Sequence, residues 1–239
     1  MYKKKPFFIV FEGVEGCGKS FQSKKLLKKL QKKNISSILT REPGGTKSAE
    51  LIRNLILKDY FNRENKDKFD KYTDTLLYLA ARNEHIKNKI KPALKNKKIV
   101  ICDRFTDSTI AYQVYGKKVN INFINNIHGY ILDGLKPDLT FILTVSAKSS
   151  YKRLKKRKTK NRYDKFSQSF YTKAQKSFLK IGKNRKNYFV FDASENNNNL
   201  ENSIFKIVCN YLKIKWHFLL TLIQKNHLIY LENLKILNF

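Results

Sequence analysis

The apolar run Phe7-Phe-Ile-Val-Phe11 passes through Glu12 directly into Gly13-Val-Glu-Gly-Cys-Gly18-Lys19-Ser20, a full match to G-x-x-x-x-G-K-[ST]. No other stretch of the 239 residues limits the fold so sharply. A continuous apolar run marks a strand buried on both faces. The segment after the motif has helical spacing, with Leu26, Leu27 and Leu30. Between strand and helix, glycines let the backbone wrap so that successive N–H groups converge on one anion at a helix N-terminus. Lys19 can then reach the β- and γ-phosphates, and the Ser20 hydroxyl can take a Mg²⁺ position. The whole loop (Gly13, Val14, Glu15, Gly16, Cys17, Gly18, Lys19 and Ser20) is the expected cradle for a nucleoside triphosphate. Cys17 occupies a position that needs only a small residue, so no catalytic thiol is expected there.

Four later apolar runs, at 35–39, 99–102, 139–145 and 188–191, alternate with helical segments such as the one holding Leu51, Ile52, Leu55 and Ile56. That order predicts an α/β fold with a five-stranded parallel sheet flanked by helices. Ligands in such sheets sit at the carboxyl ends of the strands. Composition supplies a core, with 41% hydrophobic residues, 17 Phe and 13 Tyr, which excludes disorder. Fifty basic against 19 acidic residues give a net charge of +31. The lysines are spread along the chain, and Lys, Asn, Ile and Phe all have A/T-rich codons. Compositional drift therefore accounts for the charge better than a dedicated nucleic-acid partner. Three distant cysteines, Cys17, Cys102 and Cys209, suit a reducing compartment. No apolar run is long enough for a signal-peptide core or a membrane span, so a cytoplasmic protein without membrane partners is expected.

The strand ends discriminate further. No Asn-Lys-x-Asp segment follows a strand, against a GTPase, and the chain is short for a motor or helicase. After the second run, Thr40-Arg41-Glu42-Pro43-Gly44-Gly45-Thr46 is a rigid charged turn where a second substrate could sit. After the third, Asp103 is placed to hold Mg²⁺ or its waters, and Arg104 offers a fork for a phosphate. Tyr78 and Arg82, four apart, share one helix face and can stack on and hydrogen-bond a base.

Together, Arg41-Glu-Pro-Gly-Gly-Thr46 and Asp103-Arg104-x-x-x-Ser108-Thr109-x-Ala111-Tyr112-Gln113 resemble the thymidylate kinase family over residues 7–193. The resemblance implies a phosphate-loop nucleoside monophosphate kinase fold with a lid, a homodimer, and transfer of the γ-phosphoryl of Mg-ATP to dTMP. It implies that Glu12 lies near acceptor and metal, that Arg41, Glu42 and Ser108 contact the acceptor, and that Tyr78 stacks on thymine. Arg82 approaches the base, Arg104 holds the dTMP phosphate, Thr109 or Gln113 reads a base or sugar edge, and Tyr112 crowds the 2′ position. Adenine is expected near Asp192 and Ala193.

In this family the catalytic arginine stands either in the phosphate loop or in the lid. The loop here has Gly16, while the dense basic stretch 151–162 falls at the lid position and reads as an exposed excursion. The chain resembles the lid-arginine, bacterial type, with Arg157 and, ahead of it, Arg162 as candidates. Asn161 and Asp164 depart from the family's lid acids, and Val114 and Tyr115 replace its glycine after Gln113. Residues 1–215 are read as one domain, with the lid at about 150–165 and a polar loop at 196–199. Residues 216–239 are an extension without a family counterpart. Two other readings stay open: a related kinase with another nucleotide or nucleoside acceptor, and a basic nucleic-acid-binding protein with a vestigial nucleotide site.

Overall fold

β1 (Phe7–Gly13) is buried along its whole length, and strand alternation explains why five apolar residues run together. Phe7, Ile9 and Phe11 enter one core with Leu26, Leu30 and Phe141, while Phe8 and Val10 enter a second with Ile86, Val100 and Phe105. The Phe8 and Phe105 rings meet edge to face, 5.0 Å between centroids. Each such fully buried side chain is worth about 1.5–3 kcal/mol. A computed structural model supplies these observations and describes residues 5–57, 69–155, 168–183, 185–194 and 198–214.

The sheet has the order β2-β3-β1-β4-β5, with β2 Ser37–Arg41, β3 Ile99–Asp103, β4 Leu139–Thr144 and β5 Tyr188–Asp192. Every pairing is parallel, as the sequence predicts. β2 starts two residues later than the apolar run at 35–39. Ile35 instead closes α1 (Lys19–Lys32): Asn34 turns left-handed at φ 55, and the Ile35 N–H donates to the Leu30 carbonyl at 3.0 Å. The hydrophobic residue thus seals a Schellman cap instead of opening the strand. The shift puts Arg41 in register with Asp103, so both side chains leave the sheet at the same edge.

α2 (Lys47–Leu57) packs on α3 (Lys71–His85), burying Ile56 while Leu51 faces outward. α3 continues through a π-helical segment, Ile86–Ile90, into α4 (Lys91–Lys95). After β3, α5 (Thr106–Thr109) runs into a second π-helical segment, Ile110–Gly116, that carries Tyr112 and Gln113. π-turns of this kind occur mostly at functional sites. α6 (Ile121–Leu132) packs on α3. α7 (Ala147–Lys155), α8 (Gln168–Gly182) and α9 (Asn198–Leu212) complete the described helices. Two expectations change here. Asn198 and Asn199, read as polar loop, begin α9, and residues 151–155 of the basic stretch belong to α7.

Candidate active site

The phosphate loop leaves β1 at Gly13, whose φ is 135°. A Cβ there would lie 2.1 Å from the Leu143 carbonyl oxygen of β4, so only glycine lets the loop start this close to the sheet. Lys19, buried at the start of α1, donates to the carbonyls of Gly13 (3.0 Å) and Val14 (2.8 Å), which places its ammonium in the bend of the loop. The Ser20 hydroxyl donates to the Asp103 carboxylate at the end of β3. These are the two oxygen groups expected to meet a divalent ion, and the fold sets them side by side.

A cavity of about 310 Å³ opens from this loop toward α3 and the π-helical segment. Arg104 stands at its middle in the left-handed region, φ 76, a conformation costing a non-glycine residue about 1–3 kcal/mol. Its N–H donates to Phe11 O, its Nη1 to Gly13 O and Ser108 Oγ, and its Nη2 to Glu15 at 2.7 Å. Nε and one Nη2 hydrogen have no acceptor among the described residues. Burial opposes the guanidinium charge, but Glu15 and Tyr112 outweigh it and hold Arg104 well above its ordinary range. Burial also pushes the Glu15 carboxyl up, yet Arg104 and Lys19 leave it below the usual range. An ionised Glu15 then receives the Tyr112 hydroxyl at 2.5 Å. Burial and that carboxylate push the phenol well above its ordinary value, so Tyr112 stays a donor.

Arg82 lines the far end of the cavity, beside Tyr78. Nε donates to Glu42, Nη1 to Thr109 Oγ1 and His128 Nε2, and Nη2 to Phe105 O, all at 2.7–2.8 Å, and Nη2 also pairs ionically with Glu42 at 2.8 Å. Each guanidinium nitrogen therefore has an acceptor within the protein. Glu42, buried, also meets His85 Nδ1 at 3.1 Å, and Thr40 Oγ1 lies 2.6 Å from His85 Nε2. Burial alone would raise the Glu42 carboxyl, but Arg82 and His85 bring it below the usual range. Gly45 makes room for this cluster: a Cβ there would sit 2.5 Å from the His85 ring. The free donor at this end is Gln113, whose Nε2 is buried without a partner among the described residues while the side chain lines the cavity. Tyr78 lines the same cavity, half-buried. Ser108 and Thr109 also reach it, whereas Glu12 does not. Fully enclosed, Glu12 accepts from Phe105 N, Ser108 N and Ser108 Oγ.

Two arginines at the site escaped the sequence reading. Arg53 of α2 lines the cavity and donates to Pro43 O at 2.6 Å, beside Arg41, which pairs with Glu50 at 3.0 Å. Nothing in its helical spacing distinguishes it from a surface arginine. Arg153 of α7 donates to Gly16 O of the phosphate loop (3.1 Å) and to Ala193 O and Ser194 O after β5 (2.8 Å each). It was hidden in the basic stretch, yet it joins the loop to the region expected to hold adenine. Arg157 and Arg162 lie outside the described residues.

A parallel sheet with its phosphate loop on the central strand, a Ser–Asp pair beside that loop and a basic cavity leading away from it define a phosphate-loop kinase of the nucleoside monophosphate type. Comparison narrows the class. The family model described as thymidylate kinase matches residues 11–204. A thymidylate kinase from Mycoplasma capricolum is 38% identical over 209 residues, 86% of this chain and 96% of its own length. One from Onion yellows phytoplasma is 42% identical over 201 residues, 82% and 94% of the two chains. The crystal structure of thymidylate kinase from Ehrlichia chaffeensis superposes with a TM-score of 0.66 at 33% identity, covering 85% of this chain and 99% of that one. The chain belongs to the thymidylate kinase family.

Proposed function

We propose that this protein phosphorylates dTMP, transferring the γ-phosphoryl of ATP directly and in line to give dTDP and ADP. The observation that carries the reading is the continuous cavity joining Lys19 and Ser20 at one end to Tyr78 and the unpartnered amide of Gln113 at the other, with Arg104 between them. Phosphate-sized groups fit the basic end, and a planar base fits the aromatic and amide end. Arg104 takes the acceptor phosphate on its two free N–H groups. Gln113 donates to a base oxygen, Tyr78 stacks, and Thr109 supports Arg82 behind the base. Tyr112, fixed on Glu15, fills the space where a 2′-hydroxyl would stand and so favours deoxyribose. Arg41, Glu42 and Ser108 complete the acceptor wall.

The protein supplies positioning and charge; no covalent intermediate is required. The loop N–H groups and Lys19 hold the β- and γ-phosphates, Arg153 fixes the loop against the adenine side, and Arg157 or Arg162 from the lid neutralises the moving phosphoryl. The Ser20 hydroxyl and the single Asp103 carboxylate are hard oxygen donors that suit Mg²⁺ when nucleotide and water provide the remaining ligands. No larger group of metal-binding side chains is gathered among the described residues. When bound, the ion withdraws charge from the transferring phosphoryl oxygens.

Two features support a homodimer. The resemblance implies one, and large apolar side chains stand exposed on neighbouring helices: Leu51 on α2, Leu76 on α3, and Ile121 and Tyr130 on α6. The described cysteines are all free and buried, which suits a cytoplasmic location. No described helix is long and apolar enough to cross a membrane. A coupled ADP-release assay with Mg-ATP and dTMP, dUMP, UMP, dCMP or thymidine tests the reading. Selective turnover of dTMP is expected, and equal turnover of UMP would overturn the roles of Tyr112 and Gln113. Lys19→Ala should abolish turnover with the circular dichroism unchanged.

A further inference from the structure

Glu12 sits one step behind the cavity and touches two groups that face it. Its position on β1 turns it toward the side of the sheet that also holds Phe8, Val10 and Phe105. Oε1 accepts from Phe105 N at 2.8 Å and Ser108 N at 3.2 Å, satisfying N–H groups at the start of α5, where no side chain of α5 itself provides a cap. Oε2 lies 2.6 Å from Ser108 Oγ, and that serine oxygen in turn accepts from Arg104 Nη1 at 3.1 Å. Ser108 and Arg104 line the cavity, and Glu12 is fully enclosed.

We infer that Glu12 is a positioning residue that decides, through the Ser108 hydroxyl, whether the cavity wall offers one more donor beside Arg104. The alternatives follow from hydrogen-bond valence. If Glu12 is ionised, the Ser108 O–H points at Oε2 and is unavailable to a ligand. If Glu12 carries its proton on Oε2, that proton goes to Ser108 Oγ, whose lone pairs then serve Glu12 and Arg104. The Ser108 hydrogen must turn elsewhere, and the open direction is the cavity. One proton on a buried carboxyl therefore turns a neutral wall atom into a donor aimed at an anion.

The surroundings favour the protonated form near neutrality. Burial, then the neighbouring Asp107 of α5, push the Glu12 carboxyl up to about 8, against the opposing pull of the Ser108 hydrogen bond and of Arg104. The other titratable group facing it is Cys102 of β3, whose thiol burial and the nearby carboxylates raise well above its ordinary value, so it stays neutral. Asp107 is itself raised by burial and is eased by Tyr188 and Arg185. Glutamine is then the near-isostere of the working side chain, because its carbonyl accepts the two N–H groups and its amide donates to Ser108 at every pH.

This inference rests on the placing of the acceptor phosphate at Arg104. The experiment compares the full-length wild type, Glu12→Gln, Glu12→Ala, Ser108→Ala and the Glu12→Gln/Ser108→Ala double variant. It measures kcat and the KM for dTMP from about pH 6 to about pH 9.5, with thermal unfolding alongside. Expected is a wild-type KM that rises about threefold or more through about pH 8, a Glu12→Gln KM that stays at the low-pH value throughout, and a Ser108→Ala KM that is raised and flat. The double variant should match Ser108→Ala, because both changes act through one hydroxyl. If Glu12→Gln raises KM or lowers kcat as much as Glu12→Ala at pH 6, or if the alkaline rise survives in Glu12→Gln, the inference fails. If Glu12→Gln changes only the unfolding temperature while wild type and Ser108→Ala keep identical profiles, it also fails. Failure of the underlying function would look different, since wild type would then not turn over dTMP at any pH.

Discussion

Burying an amide nitrogen without an acceptor costs about 1–3 kcal/mol, and Gln113 does so at the cavity wall. Gln113→Leu should therefore separate folding from function. We expect the unfolding free energy to rise by about 1 kcal/mol while KM for dTMP rises about tenfold. Urea unfolding and steady-state kinetics on one preparation check both. His128 supplies a second residue-level prediction. Burial, then Arg82, hold its imidazole down to about 3, so it accepts from Arg82 as a neutral ring. Between the ordinary value of 6.5 and about 3, the unfolded chain binds a proton that the folded chain does not. Stability from this group is complete above that window and is lost as pH falls through it. Glu12 runs the opposite way: its folded carboxyl is raised from 4.5 to about 8, so its contribution falls as pH rises between those values. Urea midpoints from about pH 7 down to about pH 4 should fall less steeply in His128→Asn than in wild type.

At the scale of elements, the β1–loop–α1 unit depends on one close approach. Gly13→Ala would drive a methyl group to 2.1 Å from the Leu143 carbonyl oxygen, and β1 and β4 would have to part where they pair. We expect a loss of more than about 3 kcal/mol together with loss of ATP binding, read by thermal unfolding and calorimetry. This unit was the most legible part of the sequence, because glycine spacing, strand and helix are consecutive and the physics is local. The five strands were legible for the same reason. The cap on α1 was not, since Ile35 has strand chemistry and only Asn34 beside it signals a left-handed turn. Arg82 was legible as a residue of the far end of the cavity, but its acceptors were not: they belong to Glu42, Phe105, Thr109 and His128, which no local pattern connects. Arg153 was lost among lysines for the converse reason, as charge density hides a cation whose partners are backbone carbonyls.

The whole molecule carries a net charge of +31 on 239 residues, and mutual repulsion of that size opposes a compact state. Screening relieves it, so raising ionic strength from about 0.05 to about 0.3 M should raise Tm by several degrees, as scanning calorimetry can measure. A falling Tm would mean that surface ion pairs such as Lys25–Glu201 outweigh the net repulsion. The sheet order has a further consequence, one of timing. β1 precedes the other described strands in the chain yet gains its two neighbours only later, because Phe7 pairs with Ile99 on one side and Ile9 with Leu139 on the other. Translation thus delivers the nucleotide motif early and its scaffold late. Until Ile99–Asp103 has been made the nascent chain carries an unpaired, strongly apolar segment, and until Leu139–Thr144 follows, one edge of the strand that bears the nucleotide loop stays open.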